Sequence, residues 1–332
     1  MKKVAICFLI VFVCAFAFAA PNEKKLSLGK YDGLKYTNAD VPASSANATP
    51  KNIIFLIGDG MGKGAYDATS VYVHGDKGKL YMEQLPVKGE IKTRSKNSGV
   101  TDSAAAGTAM STGNKVNNGN IGGLSGKEGR FTPLKSIATF AQEKGKAIAI
   151  ITSDSAVGAT PAAFFGHRKS RHDFVGLVED LMSANVDIVI GNQSTLPWLR
   201  SSDNADKVAK ISATHLITDG IDELKAAPAD KKVIAHLSGD FLNKETSVAE
   251  FMMASIERVE KDTDGFFMMV ECCYPDKGGH GNDPSKTVLG TIHMDYAVKV
   301  AVDYAAKNGD TLVLVTADHE TGGIVNVARD EN

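Results

Sequence analysis

Three apolar runs in this chain each end on an acidic residue, and that repeated pattern restricts the fold more than any other feature. Asn52-Ile53-Ile54-Phe55-Leu56-Ile57-Gly58 runs into Asp59, and Phe266-Phe267-Met268-Met269-Val270 into Glu271. Thr311-Leu312-Val313-Leu314-Val315-Thr316-Ala317 runs into Asp318-His319. Segments apolar on both faces read as central strands of a parallel sheet covered by helices on each side. Open α/β sheets hold ligands beyond the carboxyl ends of such strands. Carboxylates gathered there repel one another unless cations neutralise them. The pattern therefore predicts a metal-dependent site at one end of a sheet.

The rest of the chain alternates in the same sense. Strands are predicted over 52–58, 86–92, 147–152, 186–190, 233–237, 266–271 and 311–317, and helices near 103–112, 134–144, 173–183, 219–226, 247–260 and 285–307. This is the order of an α/β fold with a doubly wound, mostly parallel central sheet and helices on both faces. Residues 192–230 carry weaker strand signals and read as a peripheral excursion. With 332 residues, 43% of them hydrophobic, and no repeat or low-complexity linker, one domain over 51–332 is the simplest organisation. Residues 20–50 are polar and read as an N-terminal arm. Residues 1–19 read as an export signal: Lys2 and Lys3, the apolar stretch Val4 to Phe16, then Ala17-Phe18-Ala19 as a small-x-small cleavage site. The apolar stretch is short for a membrane span, so the mature chain is expected free of the membrane, in the periplasm or outside the cell.

Formal net charge is −2, and removing Lys2 and Lys3 leaves −4, so no basic surface suggests nucleic acid. The leader takes Cys7 and Cys14 with it, leaving the adjacent pair Cys272-Cys273. That is no disulfide framework. Neighbouring cysteines rarely bridge each other, and these are expected to pack beside Glu271.

Polar groups near the run ends supply the chemistry. Ser103 opens the alanine-rich segment Ser103-Ala104-Ala105-Ala106-Gly107-Thr108-Ala109-Met110, which favours helix, with Thr101, Asp102 and Ser103 all candidate caps. A serine there sits where backbone N–H groups and the helix dipole favour negative charge. Thr160-Pro161 reads as an N-cap followed by proline at the first helical position. Asp276 and His280 suit zinc, though Pro275 and Gly278-Gly279 argue for a loop. Asp318 and His319 can converge where their strand ends. Arg168 and Arg171 are candidate forks for phosphate oxygens.

Together these segments resemble the alkaline phosphatase family, in five blocks and in family order: Ile57-Gly58-Asp59-Gly60-Met61-Gly62, Thr101-Asp102-Ser103-Ala104-Ala105, Ala159-Thr160-Pro161-Ala162-Ala163 leading to Ser170-Arg171, Glu271 with Asp276 and His280, and Thr316-Ala317-Asp318-His319. The resemblance spans roughly residues 50 to 325. It implies a phosphate monoester hydrolase with two zinc ions and one magnesium ion. Ser103 would be the nucleophile, forming a phosphoseryl intermediate. Asp59 would bridge the second zinc and the magnesium, with Asp318 and His319 completing that zinc's protein ligands. Asp276 and His280 would hold the first zinc, Thr160 and Glu271 the magnesium. Arg171, oriented by Asp102, would clamp the phosphate, and Lys277 would reach it through water. Small phosphate monoesters are the implied substrates, and homodimerisation is common in the family.

Two departures from the family pattern stand out. The family supplies a further histidine to the first zinc from well beyond the Asp-His block, whereas the sequence stops at Asn332, thirteen residues after His319. A C-terminally truncated member is expected, with weakened catalysis if Asp276 and His280 alone hold that zinc. The spare imidazoles His167, His172 and His293 have no sequence signal placing them there, and His293 belongs to the helix after Pro284. The second departure is Gly158, two residues before Thr160, where the family has aspartate or histidine. A looser or more hydrated magnesium site follows. Among rival readings, Ser103-Ala104-Ala105-Ala106 lacks the proline and arginine of a sulfatase signature, and the leader conflicts with a cytoplasmic phosphoglycerate mutase. Two alternatives stay open: a phosphodiesterase of the same superfamily, against which Arg171 favours the monoester, and a non-catalytic phosphate- or metal-binding relative, favoured by the missing zinc-ligand segment and opposed by the retention of Ser103 and Arg171.

Overall fold

The computed structural model describes residues 49–192, 212–237, 248–325 and 327. The leader, nearly all of the arm, part of the 192–230 excursion and the charged end after 327 lie outside the described residues.

Seven strands form one wholly parallel sheet. In chain order they are β1 (Asn52–Gly58), β4 (Ala147–Thr152), β5 (Ile188–Asn192), β6 (His215–Asp219), β7 (Lys232–Leu237), β8 (Phe266–Cys272) and β9 (Thr311–Ala317), and in space they run β6-β7-β5-β4-β8-β1-β9. A small antiparallel pair, β2 (Gly123–Ser125) and β3 (Phe131–Pro133), lies apart from it.

β8 shows why the apolar runs become strands. Every one of its residues is buried, and successive side chains point to opposite faces. Phe266, Met268 and Val270 enter one apolar layer with α7 (Val248–Val259) and α9 (Pro284–Asn308). Phe267 and Met269 enter the other, with α2 (Ser103–Thr112), α3 (Ile137–Gln142), α4 (Ala159–Ala162) and α5 (Phe174–Ser183). Each fully buried Phe or Met contributes roughly 1.5–3 kcal/mol, so β8 secures both layers at once. No helix among the described residues is long and apolar enough to cross a membrane.

The register fixes where the site lies. Gly58 pairs with Cys272 on one side and Ala317 on the other, and Thr152 pairs with Glu271. Four neighbouring strands, β4-β8-β1-β9, thus end level, and the residues just past them meet.

Four expectations are corrected. Residues 86–92 form no strand: Val87 is 82% and Ile91 61% exposed, because Pro86 and Gly89 interrupt the run and no partner strand lies alongside. β9 is not a central strand. Among the described residues it is the sheet edge, with Leu312 and Leu314 about two-fifths exposed (38% and 39%). The weakly signalled excursion contributes β6, the opposite edge of the sheet. Tyr274–His280 is not a loop but a short helix, α8, with Pro275 tolerated in its first turn, where the missing N–H costs nothing. α6 (Gly220–Ala226) falls on the helix expected near 219–226, whereas α1 (Lys63–His74) and the β2–β3 pair carried no expectation.

Candidate active site

Ser103 is the first residue of α2. Its predecessor Asp102 is the N-cap, chosen by the structure from the three candidates, and accepts a hydrogen bond from Ala105 N at 2.9 Å. The cap leaves Ser103 where unpaired N–H groups and the dipole favour an anion. Ser103 is buried, with Oγ 3.2 Å from His319 Nε2 and 3.5 Å from Asp59 Oδ1.

The second oxygen of Asp102 accepts from Gly119 N at 2.9 Å and from Arg171 Nη1 at 3.3 Å. Arg171 is held at its backbone too, donating to Gly119 O at 2.7 Å. Arg168, the other candidate, is engaged elsewhere: its guanidinium donates to both oxygens of Asp180, at 2.9 and 2.7 Å.

Asp59 follows β1 directly and is buried. Gly60, at φ +64°, then turns the chain so that its N–H donates to Asp318 Oδ1 at 2.9 Å. A Cβ on Gly60 would stand 2.6 Å from the Asp276 backbone, so only glycine lets α8 come this close. Asp318 and His319 converge as β9 ends, with His319 Nε2 3.2 Å from Asp318 Oδ2 and 3.6 Å from Asp59 Oδ1. Ligand atoms of Asp59, Asp276 and His319 all lie within 4.8 Å of one another, the one such group among the described residues. His280 lies a helical turn from Asp276, its Nε2 3.4 Å from Asp276 Oδ1, with a side chain that is 74% exposed. His293 is buried within α9, and neither it nor His167 nor His172 joins the group.

Glu271 ends the apolar part of β8 beside Thr152, whose hydroxyl donates to Glu271 Oε2. Thr160 is the second residue of α4 rather than its cap; Gly158 precedes that helix. Lys277 of α8 donates to Asp154 Oδ1 at 2.8 Å. Cys272 and Cys273 are free, buried thiols.

The electrostatics show a site short of positive charge. Burial holds the Asp59 carboxyl well above the usual range, and the charges of Asp318, Glu271 and Asp276 push it further. Glu271 is raised to about 8 by burial and then by Asp154, against the opposing pull of the Thr152 and Thr160 hydroxyls. Asp318 is raised by burial, although the His319 imidazole and the Gly60 N–H favour its charged form. Its Oδ2 is buried, takes no hydrogen bond and faces His319. Buried carboxylates with an imidazole and an unsatisfied oxygen form a donor set that fits divalent metal ions.

Three further residues touch this group without a motif that singles them out. Thr152 and Asp154 share the strand-end signal of the apolar run Ala147–Thr152. Thr321 donates to Asp276 Oδ1 at 2.6 Å and lies 3.2 Å from His319 Nδ1. Its only sequence signal is its place two residues after His319.

A family model described as alkaline phosphatase matches residues 50–186 and 227–330. Alkaline phosphatase 3 of Bacillus subtilis (strain 168) is 32% identical over 292 residues, covering 82% of this chain. The chain spans 62% of that relative's length. The alkaline phosphatase of Escherichia coli (strain K12) is 28% identical over 364 residues, which cover 91% of this chain and 75% of that protein. Among solved structures, alkaline phosphatase from the Antarctic bacterium TAB5 superposes with a TM-score of 0.73 at 29% identity, over 83% of this chain and 80% of that one. A variant of that enzyme was solved with Mg bound in its M3 site. With the family model covering most of the sheet and every residue of the site just described, this chain belongs to the alkaline phosphatase family.

Proposed function

We propose that this chain is an exported, metal-dependent phosphate monoester hydrolase that works through a phosphoserine on Ser103. The observation that carries the reading is the position of Ser103: at the start of a capped helix, within 3.5 Å of both Asp59 and His319, on the same cap residue that holds Arg171.

Ser103 Oγ attacks phosphorus, and the P–O bond to the leaving alcohol breaks on the opposite side. The α2 N-terminus and Arg171 face the phosphoryl oxygens, whose negative charge they favour. Water then displaces Ser103 and releases inorganic phosphate. Asp59, Asp318 and His319 would hold one zinc, Asp276 and His280 another, and Glu271 with Thr160 and Asp59 a magnesium. Bound there, such ions lower the pKa of an attacking oxygen and stabilise a leaving one. This chain's residues supply the frame: Gly60 brings α8 against β1, Thr321 orients Asp276, and Asp102 orients Arg171. Residues 1–19 support export.

The test is hydrolysis of a chromogenic phosphate monoester at alkaline pH, with added zinc and magnesium, by the protein and its Ser103→Ala variant. Zinc-dependent turnover that falls by at least about 10³-fold in the variant is the expected result, the variant lacking the nucleophile but keeping the fold. Equal turnover by both proteins would exclude Ser103 as the nucleophile.

A further inference from the structure

Asp154 leaves the end of β4 two residues past Thr152, and its two oxygens look in different directions. Oδ1 accepts from Lys277 Nζ at 2.8 Å and from Asn192 Nδ2 at 3.5 Å. Oδ2 lies 3.7 Å from the point where a Cβ on Gly158 would stand. That Cβ would also stand 2.9 Å from Ser155 O, a contact that real side chains avoid. Gly158 caps the front of α4, two residues before Thr160. The carboxylate of Asp154 thus lies in van der Waals contact with the point where a side chain at 158 would begin, and Ser155 O is what keeps position 158 bare.

The surroundings tie this carboxylate to the site. Asp154 N donates to Thr152 Oγ1 at 2.9 Å, and the same hydroxyl donates on to Glu271 Oε2. Asn192 N closes on Asp154 O at 2.7 Å, so the backbone here is fixed from a neighbouring strand. After burial, the charge of Asp154 is the largest influence raising the Glu271 carboxyl.

We propose that Asp154 is the positioning carboxylate of the Glu271–Thr160 cation site, standing against Gly158 and holding Lys277 away from the ion. The inference rests on the metal-dependent reading given above. Two effects follow from the geometry. A second negative charge beside Glu271 favours a divalent cation, which prefers anionic oxygen surroundings. The Lys277 ammonium, one residue after Asp276, is neutralised and kept from opposing the ion in Glu271's neighbourhood.

Magnesium titration of the zinc-loaded protein by calorimetry decides the matter, with melting temperature and zinc content followed in parallel. Asp154→Asn keeps the shape and removes the charge. Its magnesium affinity is expected to fall by about tenfold or more, at unchanged zinc content and melting temperature. Asp154→Glu, which keeps a carboxylate beside Lys277, is expected to retain most of that affinity. Gly158→Asp alone sets two like charges together and should not bind magnesium more tightly than the parent. Unchanged magnesium affinity in Asp154→Asn overturns the proposal, as does a variant that sheds zinc and melts early, which would mark a purely structural role. A parent protein that takes up zinc but no magnesium defeats the cation-site reading itself, and that result is distinct from either.

Discussion

Arg171 owes its position to one carboxylate that serves three partners. Asp102 caps α2 through Oδ1 and fixes both Gly119 N–H and the Arg171 guanidinium through Oδ2. Replacing Arg171 by alanine leaves the cap and Ser103 intact while removing the proposed phosphate contact. At about 1.5–3 kcal/mol for a charge-assisted hydrogen bond, kcat/KM for a monoester is expected to fall by roughly 10²-fold, and inhibition by inorganic phosphate to weaken alongside. Steady-state kinetics with phosphate as competitor checks both, and unchanged phosphate inhibition would remove Arg171 from the phosphate site. Asp102→Ala should cost more in both respects, because it also removes the cap, worth about 1 kcal/mol of helix stability. Much of this was legible in the residues. Serine before an alanine run, an aspartate ahead of it and an arginine ten residues after Pro161 are local facts. Asp154 and Thr321 were not legible, since each matters through a partner more than forty residues away, Lys277 and Asp276 respectively.

Elements were legible where burial imposes one simple period and illegible where it does not. β1 and β8 are apolar along most of their length because helices cover both of their faces. α1 escaped notice because its buried residues include Asp67, Thr69 and Ser70, which break the apolar stripe that announces a helix. α8 contradicts its own composition, since tertiary contact at the strand ends outweighs the cost of two glycines. β9 has the composition of a central strand and the position of an edge, a distinction that depends on neighbours rather than on its own residues. α9 holds a testable case of the same kind. Asp295 lies buried on it, accepting from Tyr81 N at 3.1 Å and Met82 N at 2.9 Å, and so ties the 81–82 turn to the helix. Burial, with a smaller push from Glu83, raises its pKa to about 7 against the two N–H donors. A carboxyl raised in the folded state is protonated there while already ionised in the unfolded chain. Its penalty is absent below about pH 4, grows as pH rises, and is complete above about pH 7. Relative to Asp295→Asn, which lacks the titration, the parent protein is expected to lose on the order of 2–4 kcal/mol between pH 4.5 and 8. Denaturant unfolding of both proteins across that range measures it, and a constant difference would refute it.

At the scale of the whole molecule, the site joins the end of β1 to the ends of β8 and β9 and gathers buried carboxylates there. Burial raises Asp59, Glu271 and Asp318 alike, and neighbouring carboxylates push Asp59 and Glu271 further. Metal binding is therefore expected to stabilise the fold as a whole. Ions present at a hundred times their dissociation constant contribute about 2.7 kcal/mol, enough to raise the melting temperature by roughly 4 °C in a chain of this size. Scanning calorimetry before and after chelation, then after zinc and magnesium are restored, tests this; identical melting with and without metal would count against a metal site built from these carboxylates. The sheet order carries a further consequence for biosynthesis. β1 is the first of the described strands and lies between the last two, β8 and β9, and the hydrogen bond from Gly60 to Asp318 spans 258 residues. At about 5–20 residues per second, the ribosome needs roughly 10–50 s between making the first strand and the partner that completes it. For that interval Ile53 to Ile57 is an apolar ribbon with no sheet to join, and the nascent chain must be sheltered until β8 and β9 emerge.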